Sequence, residues 1–388
     1  MTGRLVSGAC TLECAVWEFT LACNLNCIHC GSSAGSRRTD ELTTDEAVAL
    51  CHDLKRAGCL GVALMGGEPL LRKDFWQIAG LIRKLDMELS VITNGTIHDP
   101  ETFARLRELD PRAVAVSLDA ATPAIHDHIR GRSGAFRETW DFIRAAGEAG
   151  LPVSVITTVH RMNLTELTAL REQLLRKNIA WQIQVAGAEG KRFPRELLLD
   201  EEEFYSVGLF IASTRKTYPI HAMPVIGAHD MGYHSLMLDS ISLTGEWTGC
   251  QAGVSVIGIQ SNGNIKGCLS MDDSTIAGNV RETSVRDLWR SAGAFPYSRG
   301  FTADDAGENC RGCPHLATCK GGCNEMSLMK TGGFHNDPYC FHRIEMRIFE
   351  KELRNPWYRL LLKARGRLAA LGARGNEKRL SDSFLGHR

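Results

Sequence analysis

The 388-residue sequence has no excess of charge of either sign, because Lys plus Arg and Asp plus Glu both number 45. No global field therefore draws nucleic acid or an acidic surface to it, and partners must be recognised locally. Long hydrophobic runs are missing as well. The N-terminus, MTGRLVSGACTLECAVWEF, lacks the apolar stretch of a signal peptide, and no segment approaches the roughly 18 apolar residues of a membrane span. The expectation is a cytoplasmic protein with no membrane span and no nucleic-acid partner. There is also no low-complexity tract and no repeat beyond an alternation of strands and helices.

Cysteine, by contrast, is plentiful, at 14 residues. A small secreted chain would use such cysteines for disulfides, but in a long chain without an export signal clustered cysteines point to metal. Cys10, Cys14, Cys51 and Cys59 fall outside the clusters and read as buried small hydrophobes or spare thiols. A hydrophobic fraction of 44% with 23% charged residues supports a sizeable core, in two or three domains or in one barrel with an addition.

Between residues 16 and 190, short β-rich apolar runs alternate with amphipathic stretches: AVWEFTL, LGVALM, ELSVIT, AVAVSL, PVSVITTV and AWQIQV. Continuous apolar strands separated by helices are what a parallel sheet buried on both faces requires. The first helix is well marked: Thr43 and Glu46 predict a capping box, Ala47, Leu50, Cys51, Leu54 and Ala57 share one face, and Gly58 ends it. Each strand runs into small or polar residues at its carboxyl end, where parallel βα barrels build their sites. Six units fit, so the α/β fold expected is a partial (β/α)6 TIM-type barrel. It is preceded by an N-terminal segment (1–15) and followed by a connecting region (191–249), a cysteine-rich domain (250–345) with a small β-hairpin, and a C-terminal helix and tail (346–388). Residues 343–388 hold twelve Lys/Arg against five Asp/Glu, read as the solvated face of a helix packed on the barrel.

The segment FTLACNLNCIHCGSS places Cys23, Cys27 and Cys30 at Cx3Cx2C spacing. Three thiolates can hold three corners of a [4Fe–4S] cubane and leave one iron open, whereas a closed zinc site wants four ligands. This stretch, with GGEP after the second strand and SLDA after the fourth, resembles the radical S-adenosylmethionine (radical SAM) superfamily. The resemblance implies that the open iron chelates the methionine part of SAM, and that reductive cleavage yields a 5′-deoxyadenosyl radical. It implies that Glu68 accepts from the SAM ammonium, with Gly66 and Gly67 allowing close backbone approach. Ser117 and Arg130 would address the carboxylate, Asn94 and Asp119 the rim near the ribose, and His29, Thr158 and Val185 the adenine. His29 stands where the family often has an aromatic residue.

The remaining cysteines read Cys250, Cys268, Cys310, Cys313, Cys319, Cys323 and Cys340. Spacing alone leaves a zinc ribbon and iron-sulfur clusters as alternatives. The seven-cysteine order resembles the SPASM extension of radical SAM enzymes, which carries two auxiliary [4Fe–4S] clusters, three clusters in all. By that resemblance Cys310, Cys313, Cys319 and Cys340 hold a distal cluster, and Cys250, Cys268 and Cys323 a proximal one. The proximal cluster then lacks a fourth cysteine: either its iron is open or His234, Asp239 or Glu246 fills the place. His221, His229, Asp230, Tyr233 and His234 are candidates for meeting substrate or acting as a base. Asn262 and Gly263 predict the turn of the hairpin.

The family resemblance implies oxidative modification of a peptide or protein, such as a crosslink or dehydrogenation, with the auxiliary clusters accepting electrons. The alternative is dehydrogenation or rearrangement of a small molecule such as an aminoglycoside or another sugar. Only about 15 residues precede the first strand, too few for a winged-helix leader-binding domain, so a separate leader-binding protein is an expected partner, together with a reductant such as flavodoxin or ferredoxin.

Overall fold

A computed structural model describes residues 10–97, 99–188, 190–228, 231, 233–238, 241 and 247–354. Six parallel strands follow one another along the chain: β1 (Cys14–Thr20), β2 (Gly61–Gly66), β3 (Glu88–Thr93), β4 (Ala113–Ser117), β5 (Val153–Val159) and β6 (Ala180–Val185). Each pairs with its neighbour in sequence order, and helices make the crossovers. Leu64, Val91, Val116, Val155 and Ile183 are fully buried in these strands, as a sheet covered by helices demands.

Local chemistry sets the first crossover. The Thr43 hydroxyl accepts from the Glu46 amide at 3.3 Å, the Glu46 carboxylate accepts from the Thr43 amide at 2.8 Å, and helix Thr44–Ala57 ends at Gly58 with φ of 83°. Ala47, Leu50, Cys51 and Leu54 are buried on its inner face. Asp53 is buried too, because its carboxylate accepts from the Val285 amide and so ties helix Val285–Arg290 to this one.

The sheet continues past the six expected strands at both edges. β7 (Val225–Gly227), from the connecting region, lies parallel to β6. On the other side β8 (Val256–Ile259) lies parallel to β1, and β9 (Asn264–Lys266) and β10 (Gly278–Asn279) follow antiparallel. The result is one open ten-stranded sheet, barrel-like but not closed. The expected hairpin is present, with Gly263 in the left-handed region at φ of 90°. It does not stand apart: it widens the barrel sheet, because β1 offers β8 an unpaired edge.

Phe341, at the start of helix Phe341–Arg354, packs against Phe204 and Tyr205 of helix Glu201–Thr217 and fits over Gly208, where a Cβ would come 2.4 Å from its ring. Most of the basic tail lies outside the described residues. Among the described residues no helix is long and apolar enough to cross a membrane.

Candidate functional site

The carboxyl ends of the parallel strands open onto one cavity of about 540 Å³, reached by Cys23, Cys27 and Cys30 from the loop after β1. That loop is pinned from several sides. Cys23 donates its amide to Gly35 at 2.9 Å, and Ile28 to Ile129 at 2.9 Å, which docks the loop on helix Pro123–Arg130. Arg192 reaches across from beyond β6, donating to the Cys27 carbonyl at 3.1 Å and the Ala34 carbonyl at 3.0 Å. Burial raises the thiol of Cys23 to about 11, and Cys27 and Cys30 add to it. Burial likewise raises Cys27, against the nearby Arg130 charge.

Gly66 and Gly67 line the cavity, but their lack of a side chain serves the chain itself. A Cβ on Gly66 would sit 2.2 Å from the Thr20 carbonyl oxygen, and one on Gly67 2.2 Å from that of Ala22. The turn after β2 therefore lies directly on the stem of the cysteine loop. Glu68, which the resemblance gives as the acceptor for the SAM ammonium, follows directly. It is fully buried, and its carboxylate accepts from the Thr93 hydroxyl at 2.9 Å, the Asn94 amide at 2.8 Å and the Leu70 amide at 3.2 Å. Burial lifts its pKa to about 7 despite these donors. Through Thr93 and Asn94, Glu68 is tied to the rim of the cavity.

Asp119 is fully buried as well. Its carboxylate is 2.8 Å from Arg130 Nη2 and 3.3 Å from His29 Nε2, and it accepts from the Thr158 amide at 3.1 Å. Burial alone would raise this carboxyl, but Arg130 and then His29 bring it below its ordinary value. Arg130 lines the cavity with Nη1 3.8 Å from the Cys27 sulfur, while its Nε is buried without a hydrogen-bond partner. Burial drives His29 down to about 4 against the pull of Asp119, so its ring is neutral at pH 7. Asn94 lines the cavity too, with its amide 2.8 Å from Asn24 Oδ1 and 3.9 Å from the Cys23 sulfur. Ser117, Thr158 and Val185 complete the expected rim; Thr158 accepts from Gln184, a lining residue that carried no sequence signal.

The C-terminal cysteines sort into two groups. Cys323 donates to Cys250, and Cys250 in turn affects Cys268. All three line the same cavity as the first trio. Cys310, Cys313, Cys319 and Cys340 perturb one another instead; burial raises Cys310 to about 11 and Cys340 to about 12, with neighbouring thiols adding to each. Two family models match the chain. The radical SAM superfamily model matches residues 17–174, and the SPASM model, an iron-sulfur cluster-binding domain, matches residues 250–314.

The chain belongs to the radical SAM superfamily. Relatives of this radical SAM protein include the AdoMet-dependent heme synthase of Methanosarcina barkeri, 28% identical over 84% of this chain and 95% of that protein. The mycofactocin maturase MftC of Mycobacterium ulcerans is 30% identical over 80% of this chain and 82% of its own length. In fold it is similar to Streptococcus suis SuiB bound to S-adenosylmethionine, with a TM-score of 0.68 at 17% identity, covering 86% of this chain and 76% of that one. Native anSMEcpe with bound AdoMet gives a TM-score of 0.67 at 16% identity, over 84% and 94%. These radical SAM relatives are enzymes, and the two matching domains imply iron-sulfur clusters and SAM binding. The residues present fit both: grouped buried thiols, and beside the first trio a guanidinium with an unused donor.

The other expected residues fall elsewhere. The Tyr233 hydroxyl donates to Asp337 and accepts from the Cys323 amide at 3.0 Å, so it braces the proximal trio from behind. His234 stacks on His315 at 4.3 Å, and His315 is two residues along the chain from Cys313. His221 is exposed, and His229, Asp230, Asp239 and Glu246 lie outside the described residues. Cys51 and Cys59 are core residues whose thiols burial pushes to about 12, while Cys10 and Cys14 are half-buried. Sequence reasoning missed Arg192, on the loop past β6, and Glu325, in the first turn of helix Asn324–Thr331; both reach the cavity without a motif of their own.

Proposed function

We propose that this protein oxidatively modifies a peptide or protein by removing a hydrogen atom from an unreactive C–H bond and passing the remaining electron to an auxiliary cluster. In this reading Cys23, Cys27 and Cys30 hold the SAM-binding cluster. Cys250, Cys268 and Cys323 hold a proximal auxiliary cluster, and Cys310, Cys313, Cys319 and Cys340 a distal one. The observation that carries it is the shared cavity: the first trio and the proximal trio wall the same space, so a substrate radical formed there lies beside an electron acceptor.

When bound, SAM and its cluster supply the 5′-deoxyadenosyl radical that abstracts hydrogen. The chain's own residues position and shield. Arg130, oriented by Asp119, offers a guanidinium to the SAM carboxylate, with Ser117 as a second donor. Thr158 and Gln184 stand at the far side of the rim, and Leu25, Ile92, Ile156 and Ile226 give it an apolar wall that keeps water away. Oxidation releases one electron and one proton from the carbon radical, and the peptide product has lost two hydrogens.

The maturase relative supports a peptide substrate. The heme synthase relative, matched over 95% of its length, favours a second reading in which the substrate is a heme-type small molecule. Anaerobic incubation with SAM, dithionite and short peptides encoded beside the gene separates them. The expected result is a peptide about 2 Da lighter, the mass of the two hydrogens lost, with 5′-deoxyadenosine formed alongside. Peptides of unchanged mass, with 5′-deoxyadenosine released only when an iron porphyrin is added, would move the assignment to the second reading.

A further inference from the structure

Among the described residues that wall the cavity, Glu325 supplies the one carboxylate. It is the second residue of helix Asn324–Thr331, and Cys323 is the cap from which that helix starts. The geometry carries the side chain back toward the thiols. Glu325 Oε2 lies 4.0 Å from the Cys323 sulfur. Cys250 and Cys268 wall the same cavity.

Three sulfurs and one carboxylate thus line the same cavity, with the carboxylate beside Cys323. The barrel leaves room for the carboxylate: a Cβ on Gly187, just past β6, would come 2.8 Å from Glu325 Oε1. Among the described residues, two other expected donors are engaged elsewhere. Tyr233 is occupied by Asp337 and the Cys323 amide, and His234 lies against His315 beside the distal group.

We propose that Glu325 is the fourth ligand of the proximal auxiliary cluster, its carboxylate oxygen binding the iron that Cys250, Cys268 and Cys323 leave without a thiolate. The inference rests on the proposed function's reading that this trio holds a cluster. A carboxylate carries the same single negative charge as a thiolate, so the cluster keeps the net charge of a four-cysteine site. Oxygen is a harder donor than sulfur, which makes this iron the one most open to exchange. The bond needs no redox partner: an oxygen lone pair replaces a water on iron. The start of a helix also favours negative charge at this position.

The test uses the full chain with Cys23, Cys27 and Cys30 replaced by Ala, so that all iron signals come from the C-terminal clusters. If both are present, iron approaches eight per chain (~8, from two four-iron cubanes). In that background Glu325→Gln should keep its iron but shift the EPR g values of one reduced cluster. Added β-mercaptoethanol should shift them again as it binds the freed iron, while Glu325→Cys should be insensitive to the thiol. Should Glu325→Gln lose iron, restoration in Glu325→Cys supports the assignment and failure to restore it overturns it. Unchanged g values with iron retained also overturn it; a fall in peptide turnover when Glu325→Gln is made in the otherwise intact chain would then make Glu325 a proton acceptor. Iron near four in the triple variant, before any change at position 325, would instead sink the cluster reading of the trio and the ligand with it.

Discussion

Arg130 is a buried cation placed next to a thiol, and its orientation depends on a residue that does not reach the cavity. Asp119 holds Nη2 at 2.8 Å and is itself steadied by His29 and the Thr158 amide. Breaking one partner of a fully buried pair costs about 3–5 kcal/mol, because the surviving charge keeps its desolvation penalty. Asp119→Asn should therefore lower the melting temperature. It should also weaken SAM binding about tenfold, or ~1.4 kcal/mol, by letting the guanidinium turn. Equilibrium binding of SAM to the reconstituted variant, with iron content unchanged, checks this; wild-type affinity would remove Asp119 from the positioning role. Glu68 is a different case, since its carboxylate is held by three neutral donors, Thr93, Asn94 and Leu70, and by no cation.

Among the elements, the contact between the turn after β2 and the stem of the cysteine loop is the tightest near the site. Gly67 donates to the Thr20 carbonyl at 2.7 Å, and Glu68 to that of Ala22 at 2.8 Å. Gly67→Ala would drive a methyl group into the Ala22 carbonyl, a backbone atom that cannot swing aside as a side chain can. The loop must then shift, carrying Cys23 with it. The expected outcome is a folded protein, with circular dichroism close to wild type, that binds roughly four fewer irons per chain on reconstitution, one cubane's worth. Full iron with unchanged spectra would show that the loop tolerates the displacement.

For the molecule as a whole, the raised thiols predict how clusters assemble. Burial, with help from neighbouring thiols or carboxylates, puts Cys23 and Cys310 at about 11 and Cys268 and Cys340 at about 12, so in the metal-free protein these groups are protonated at pH 7. Iron binds thiolate, so each of them must release a proton on ligation, and apparent affinity rises with pH up to the raised pKa. Reconstitution with limiting iron should reach higher occupancy at pH 8.5 than at pH 7, approaching about twelve irons per chain with iron in excess (~12, from three cubanes). Equal occupancy at both values would mean that the thiols are already ionised.

Much of this was legible in one dimension. Alternating apolar strands and capped helices determined the parallel sheet, because burial on both faces needs continuous apolar runs and the Thr43–Glu46 box is a local hydrogen-bond pattern. The three thiols of Cys23, Cys27 and Cys30 likewise pointed to iron, because a closed zinc site wants four ligands, whereas spacing alone left the C-terminal cysteines open between zinc and iron. The tertiary structure alone decided that the hairpin extends the open sheet through β1, that Glu68 and Asp119 are fully buried at the rim, and that Glu325 and Arg192 reach the cavity. Those outcomes depend on which surfaces remain free once distant segments have packed, and no local pattern of residues records that.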